Sequence, residues 1–170
     1  TLDPLTKKLP LNESAGALIT DTVGFVSNLP HHLIDAFKST LEEAVTADLL
    51  LLVLDSSDAE AEFQYNTVCD VLEEIGATKN PRLILLNKVD KNDDSTQTLS
   101  ALRLKFPEAI CISAKEEIGF VELKDKIYEL LYGELAEYII PTSQSVLINE
   151  VRKAGCIQSE EWLDDGVHIT

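Results

Sequence analysis

Asn87, Lys88 and Asp90 stand in the order Asn-Lys-x-Asp directly after an apolar run, Leu83-Ile-Leu-Leu86. A carboxylate at such a position accepts two hydrogen bonds from a base that presents a ring N–H beside an exocyclic amine. Guanine offers that pair; adenine presents an acceptor at the ring position and no amine beside it. The Asn87 amide suits the other base edge, and the stem of Lys88 can lie flat against the ring. Two more polar segments follow apolar runs in the same way. Asp21-Thr-Val-Gly24 comes after Ala17-Leu-Ile-Thr20, and Ser113-Ala-Lys115 after Ala109-Ile-Cys-Ile112. Asp21 is a hard oxygen donor of the kind magnesium takes, and Gly24 lets a backbone N–H approach a phosphate closely. Asn-Lys-x-Asp alone also fits a strand followed by a polar turn; the two companion segments favour the ligand.

These segments need elements to hold them. A short apolar run that stops at polar residues reads as a buried parallel strand whose carboxyl end opens onto a crevice. That reading covers Ala17–Thr20, Leu49–Leu54, Leu83–Leu86 and Ala109–Ile112. Helical spacing separates them: Leu33, Phe37, Leu41 and Ala44 after Leu29-Pro30; Phe63, Val68, Leu72 and Ile75 within 61–75, stopped by Gly76; Leu99, Leu102 and Phe106; and Leu123, Ile127, Leu130 and Leu131 within 120–132. Strands alternating with helices imply βαβ units and a mostly parallel sheet. Residues 1–12, with Asp3-Pro4 and Leu9-Pro10, suit an extended loop leading to an edge strand. From residue 134 the rhythm changes to a strand at Tyr138–Ile140, a short helix at Ser145–Lys153 and a hairpin turning at Asp164-Asp-Gly166. The expected architecture is α/β over 1–133 with a small α+β appendage over 134–170.

With 170 residues, 45% of them hydrophobic, the chain can bury a core. A net charge of −16 argues against a general polyanion-binding surface, and so against general DNA binding. No apolar run approaches the roughly 18 residues of a spanning helix, and no signal-peptide pattern opens the chain. Cys69, Cys111 and Cys156 have no metal or disulfide spacing and read as reduced, partly buried thiols, which suits a cytoplasmic setting. No Met stands at position 1, and Val167–Thr170 resembles a strand cut short; a piece of a longer polypeptide is expected.

In order and spacing the three polar segments resemble the third, fourth and fifth signature motifs of translation-factor-class GTPases. Thr1-Leu-Asp-Pro4, Asp21-Thr-Val-Gly-Phe25, Leu29-Pro-His31, Ala36-Phe-Lys-Ser-Thr-Leu-Glu-Glu43 and Ala47-Asp48 narrow the resemblance to the HflX family of ribosome-associated GTPases. The resemblance implies a Ras-like three-layer P-loop GTPase domain that binds GTP or GDP with Mg2+. It implies nucleotide contacts from Asp21, Thr22, Val23 and Gly24, from Asn87, Lys88, Val89 and Asp90, and from Ser113, Ala114 and Lys115. Asp21 would hold magnesium through water, and Thr1, with Thr6 as the substitute, would touch magnesium and the terminal phosphate. The family binds the large ribosomal subunit, splits idle or stalled ribosomes and hydrolyses GTP weakly until the ribosome stimulates it.

The chain departs from the pattern twice. Phe25 occupies the position where many relatives carry a water-orienting Gln; an aromatic there cannot polarise water, and it also suits a core. No Gly-x-x-x-x-Gly-Lys-Ser/Thr loop occurs in the 170 residues, so the domain is expected to lack its first strand and phosphate loop. The Ala17 and Leu49 strands then lose the partner between them, and the chain alone is expected to bind nucleotide poorly. A non-catalytic module that binds the ribosome or another partner is the rival reading, and an ATP-using phosphotransferase a weaker third. His31 and His32 read as helix-start or partner-facing residues, Glu42-Glu43 and Glu73-Glu74 as solvated helix faces, Asp55 and Asp58 as caps, and Trp162 as the cover of a small core.

Overall fold

A computed structural model describes residues 5–12, 15–22, 43–91, 97–133, 136–154, 157 and 159–170. The chain divides into two compact units, Thr1–Thr6 with Thr20–Lys124 and Lys7–Ile19 with Asp125–Thr170. Strands β1 (Leu5–Pro10) and β2 (Gly16–Asp21) form a two-stranded sheet. This overturns the expected place of Ala17–Thr20 as a buried parallel strand. Leu18 is 74% exposed, because among the described residues the two-stranded ribbon has no further layer over its apolar side chains. Leu5–Pro10, expected as an extended loop, is itself the partner strand.

In the first unit the strands β3 (Leu50–Asp55), β4 (Arg82–Asn87) and β5 (Ile110–Cys111) form a parallel sheet in that order. Each arises from an apolar run, and the run of the central strand β4 is buried on both faces. Leu83, Leu85 and Leu86 of the central strand are all buried. Among the described residues only β4 pairs with β3, whose Val53 is 56% exposed; β2 and β3 lie in separate sheets, as expected for strands that lack an intervening partner.

Helix α1 (Ala61–Glu74) follows β3, α2 (Gln97–Lys105) follows β4, and α3 (Phe120–Tyr132) follows β5. The core face of α1 runs through Ala61, Tyr65, Val68, Leu72 and Ile75. At about 100° per residue these fall on one stripe, whereas Phe63 sits about 200° round from Ala61. Phe63 is accordingly 66% exposed rather than in the core, and Tyr65 packs on Phe106 with ring centroids 4.7 Å apart. Gly76, at φ 82°, closes the helix in the left-handed region, its N–H bonded to the Glu73 carbonyl. The stretch expected as a helix after Leu29-Pro30 lies outside the described residues except for a helical turn at 43–46. The carbonyls of Ala44, Val45 and Ala47 all accept from the Asn80 side-chain amide. Cys69 and Cys111 are half-buried and unpaired by disulfide.

In the second unit β6 (Tyr138–Ile140), β7 (Glu160–Leu163) and β8 (Gly166–Ile169) form an antiparallel sheet in the order β6-β8-β7, with α4 (Ser145–Ala154) over it. Ile140, Ile148, Val167 and Ile169 make its core. Trp162 does not cover that core, contrary to expectation: it lies on the outer strand β7, is 60% exposed, and its indole N–H donates to Glu160 Oε1 at 2.9 Å. Glu160 in turn pairs with Arg152 of α4. Tyr132 donates its hydroxyl to the Gly16 carbonyl at 2.8 Å and stacks on Tyr128.

Leu86 is fully buried among Leu54, Ala61, Leu102 and Phe106. Leu86→Ala is expected to remove about 3 kcal/mol of stability, measured as a lower urea midpoint at unchanged slope.

Candidate functional site

The parallel register sets the site. Asp55 and Asn87 occupy the last rung shared by β3 and β4. Ser56, fully buried, donates both its N–H (2.9 Å) and its hydroxyl (2.7 Å) to the Asn87 carbonyl. The Asn87 side-chain oxygen accepts from the Lys88 N–H at 2.8 Å and from the Ala114 N–H at 3.0 Å. One side chain therefore joins the loop after β4 to the loop after β5.

Lys88 adopts a left-handed backbone, φ 64°, uncommon for a residue with a side chain and sustained here by those bonds. Its ammonium reaches Asp55 Oδ2 at 2.5 Å. Val89 to Lys91 form a single 3-10 turn, in which the Val89 N–H bonds to the Ile112 carbonyl. That turn carries Asp90 to Ser113, whose buried hydroxyl donates to Asp90 Oδ1 at 2.5 Å and accepts from the Glu116 N–H. The Ser113 hydroxyl, more than any other group, holds the Asp90 carboxyl below the usual carboxylate range. Asp90 is exposed and, as a carboxylate, keeps acceptor sites beyond this bond. With its proton committed to Asp90, Ser113 is not arranged as a nucleophile. Lys115 is exposed and pairs with Glu116.

The Ser113 loop is closed by reciprocal backbone bonds between Ser113 and Ile118, both 3.1 Å. It then turns at Gly119, φ 78°, where an added Cβ would lie 2.3 Å from the Cys111 carbonyl oxygen. Only glycine fits that approach.

The structure thus brings Asn87, Lys88, Asp90, Ser113 and Ala114 together in two adjoining hydrogen-bonded loops. Asp21 and Thr22 are exposed, Asp21 as the last residue of β2, in a different sheet from the cluster. Thr6 shares a hydroxyl–hydroxyl bond with Thr20 at 2.9 Å. Thr1, Val23, Gly24, Phe25, His31 and His32 lie outside the described residues. Among the described residues no group of acidic, His and Cys side chains is arranged to hold a metal, and no helix is long and apolar enough to cross a membrane.

Sequence reasoning gave Asp55 only the part of a cap and passed over Ser56. Asp58 does enter a turn before α1, accepting from the Glu60 N–H at 2.8 Å, and Asp55 likewise accepts from the Ser57 N–H at 3.0 Å while its other oxygen takes Lys88. The available signal was that the two strongest apolar runs each end in a polar residue, so that adjacent parallel strands place those residues side by side.

A parallel sheet with Asn-Lys-x-Asp after one strand and a bonded Ser-Ala-Lys after the next is the arrangement of a GTPase-type α/β domain. No protein-family model matches the chain. Curated relatives match nearly all of it. GTPase HflX of Akkermansia muciniphila is 40% identical over 172 residues, 98% of this chain and 39% of the relative. GTPase HflX of Escherichia coli is 33% identical over 168 residues, again 98% of this chain and 39% of the relative. A GTP-binding protein of Sulfolobus solfataricus in complex with GDP superimposes with a TM-score of 0.61 at 33% identity, over 75% of this chain and 44% of that one. Era, in complex with MgGDPNP and a 16S ribosomal RNA segment, shares the fold at 22% identity and a TM-score of 0.56, over 83% of this chain and 48% of its own. The fold is the Ras-like GTPase type, and the chain belongs to the HflX family, spanning about two-fifths of the length of the relatives it matches.

Burial alone would raise the Asp55 carboxyl, but the bonds from Lys88 and from the Ser57 hydroxyl and N–H outweigh it and bring the pKa down from 3.8 to about 2. A carboxyl depressed on folding adds stability that is complete above the unfolded pKa and lost as pH falls through the folded one. Asp55→Asn is therefore expected to be less stable than the parent at neutral pH, with the gap closing between about pH 4 and pH 2, read from urea midpoints across that range.

Proposed function

We propose that this chain forms the guanine-recognising part of a GTP hydrolase of the HflX type. The observation that carries the reading is the cluster at the ends of neighbouring parallel strands in which the Ser113 hydroxyl holds Asp90 while the Asn87 side chain joins the two loops. Asp90 accepts from the guanine ring N–H and exocyclic amine; Asn87 faces the other base edge; Lys88 lies along the ring; and Val89, Ser113, Ala114 and Lys115 support the pocket from behind. The preorganised carboxylate needs no reorganisation to meet guanine, and meets only an acceptor on adenine, which costs affinity.

Asp21, Thr22, Val23 and Gly24 are assigned to the phosphate end, with Thr1. Asp21 presents an exposed oxygen donor at a strand end, which suits the chemistry of a water-mediated Mg2+ contact. When bound, Mg2+ would neutralise charge on the β- and γ-phosphates. Gly24 would offer its N–H to the terminal phosphate, and Phe25 would shield the site without orienting water, so hydrolysis draws its water-positioning group from elsewhere. The 170 residues contain no phosphate loop; tight binding is assigned to a longer polypeptide that supplies one. We assign nucleotide binding to 1–133 and a separate accessory role to 134–170. The family relationship supports a cytoplasmic protein that acts on the large ribosomal subunit to split or rescue idle or stalled ribosomes.

The test is a titration with fluorescent GDP and ADP in magnesium, using this chain and a form extended at the amino terminus. The extended form is expected to bind GDP and not ADP, and Asp90→Asn to weaken GDP by about tenfold or more, the scale of a lost charge-assisted bond. If neither form binds guanine nucleotide, the GTPase reading fails and a non-catalytic partner-binding module takes its place.

A further inference from the structure

Base recognition as described gives Lys88 a task that conflicts with its charge. Its stem is needed against the ring, yet its ammonium stands two residues from the carboxylate that reads the base. A lysine without a partner of its own would be drawn to Asp90 and would occupy the acceptor sites meant for guanine. Asp55 answers this conflict. Its Oδ2 takes the Lys88 ammonium at 2.5 Å. Its Oδ1 is held by the Ser57 hydroxyl at 2.6 Å and by the Ser57 N–H at 3.0 Å. The carboxylate is therefore fixed before Lys88 arrives, on the rung that β3 shares with Asn87. At its other end Lys88 is fixed by the left-handed backbone and by its N–H on Asn87. With both ends held, the methylenes between them are stretched from the Lys88 backbone to Asp55, and the ammonium is committed to Asp55 rather than to Asp90.

We propose that Asp55 is a positioning residue for base recognition: it captures the Lys88 ammonium, holds the lysine stem as the platform for the purine, and keeps Asp90 open to the guanine edge. This rests on the guanine reading given above. An ordinary surface ion pair would not require the doubly anchored carboxylate or the strained lysine backbone, and would add little. The low pKa of Asp55 agrees with a carboxylate that stays charged whenever the protein is folded.

The experiment compares GDP, IDP and ADP affinities of the protein expressed at the full length of its gene, as wild type, Asp55→Ala, Asp55→Asn, Lys88→Met and Asp55→Ala/Lys88→Met. IDP keeps the ring N–H and lacks the exocyclic amine, so the GDP/IDP ratio reports the second bond to Asp90. Asp55→Ala and Asp55→Asn are expected to weaken GDP about tenfold and to lower the GDP/IDP ratio, as one charged contact to Asp90 is contested. Methionine retains an unbranched stem without the ammonium, so the double variant is expected to regain most of the affinity and the ratio. Thermal unfolding of each variant reads stability separately, and Asp55→Asn preserves the shape should the alanine variant fold poorly. If the double variant binds GDP as weakly as Asp55→Ala, Asp55 acts only on the strand end, and the proposal is overturned while the guanine reading stands. If the wild type shows no preference for guanine, the guanine reading itself falls and takes the proposal with it.

Discussion

The site depends on Asn87 more than on any other residue. Its backbone carbonyl takes two donors from Ser56 at the end of β3, and its side-chain oxygen takes one from each of the loops that follow β4 and β5. Three strand ends are thereby tied to one residue. Such a cluster is costly if half satisfied and rigid if complete, because buried polar groups without partners lose their hydration and gain nothing in return. Ser56 and Ser113, both wholly buried, are each hydrogen-bonded within it.

The apolar sheet makes this polar cluster affordable in a physical sense. Leu54 and Leu86, one rung below the site, are packed against Ala61, Leu102 and Phe106. The rung above them is therefore held at a fixed spacing, and hydrogen-bond lengths among Asp55, Asn87 and Lys88 follow from the strand geometry. Gly119 serves the same end on the other side. By allowing the chain to pass against the Cys111 carbonyl, it lets the Ser113 loop fold back on itself before α3 begins.

Much of this was legible beforehand. The four-to-six-residue apolar runs at β3, β4 and β5 declared themselves by composition, and the polar residues that follow them marked the crevice end of the sheet. Helix α3 and the C-terminal strands were equally plain. The misreadings have specific causes. Phe63 is apolar and helical, but the stripe that packs is decided by the angular position of Ala61, Tyr65 and Leu72, so an aromatic off that stripe is left outside. Leu18 and Ile19 are apolar enough for a core strand, yet burial needs a neighbour on each side, and among the described residues β2 pairs only with β1. Trp162 reads as a core residue, but it lies on one of the two outer strands of its sheet and its indole N–H bonds to Glu160.

The sequence by itself determined the alternation of strands and helices and the parallel class of the sheet, and it singled out Asn87, Lys88, Asp90 and Ser113 as candidates at the strand ends, because periodicity and side-chain chemistry are local properties. Only the tertiary structure decided that Asp55 faces Lys88, that Ser56 locks the Asn87 carbonyl, and that Gly16–Asp21 pairs with Leu5–Pro10 instead of lying in a buried parallel sheet. Those facts depend on which strands become neighbours and in what register. Asp55 and Lys88 are brought to 2.5 Å across 33 positions of chain, a separation at which composition and spacing carry no information until the backbone hydrogen bonds are formed.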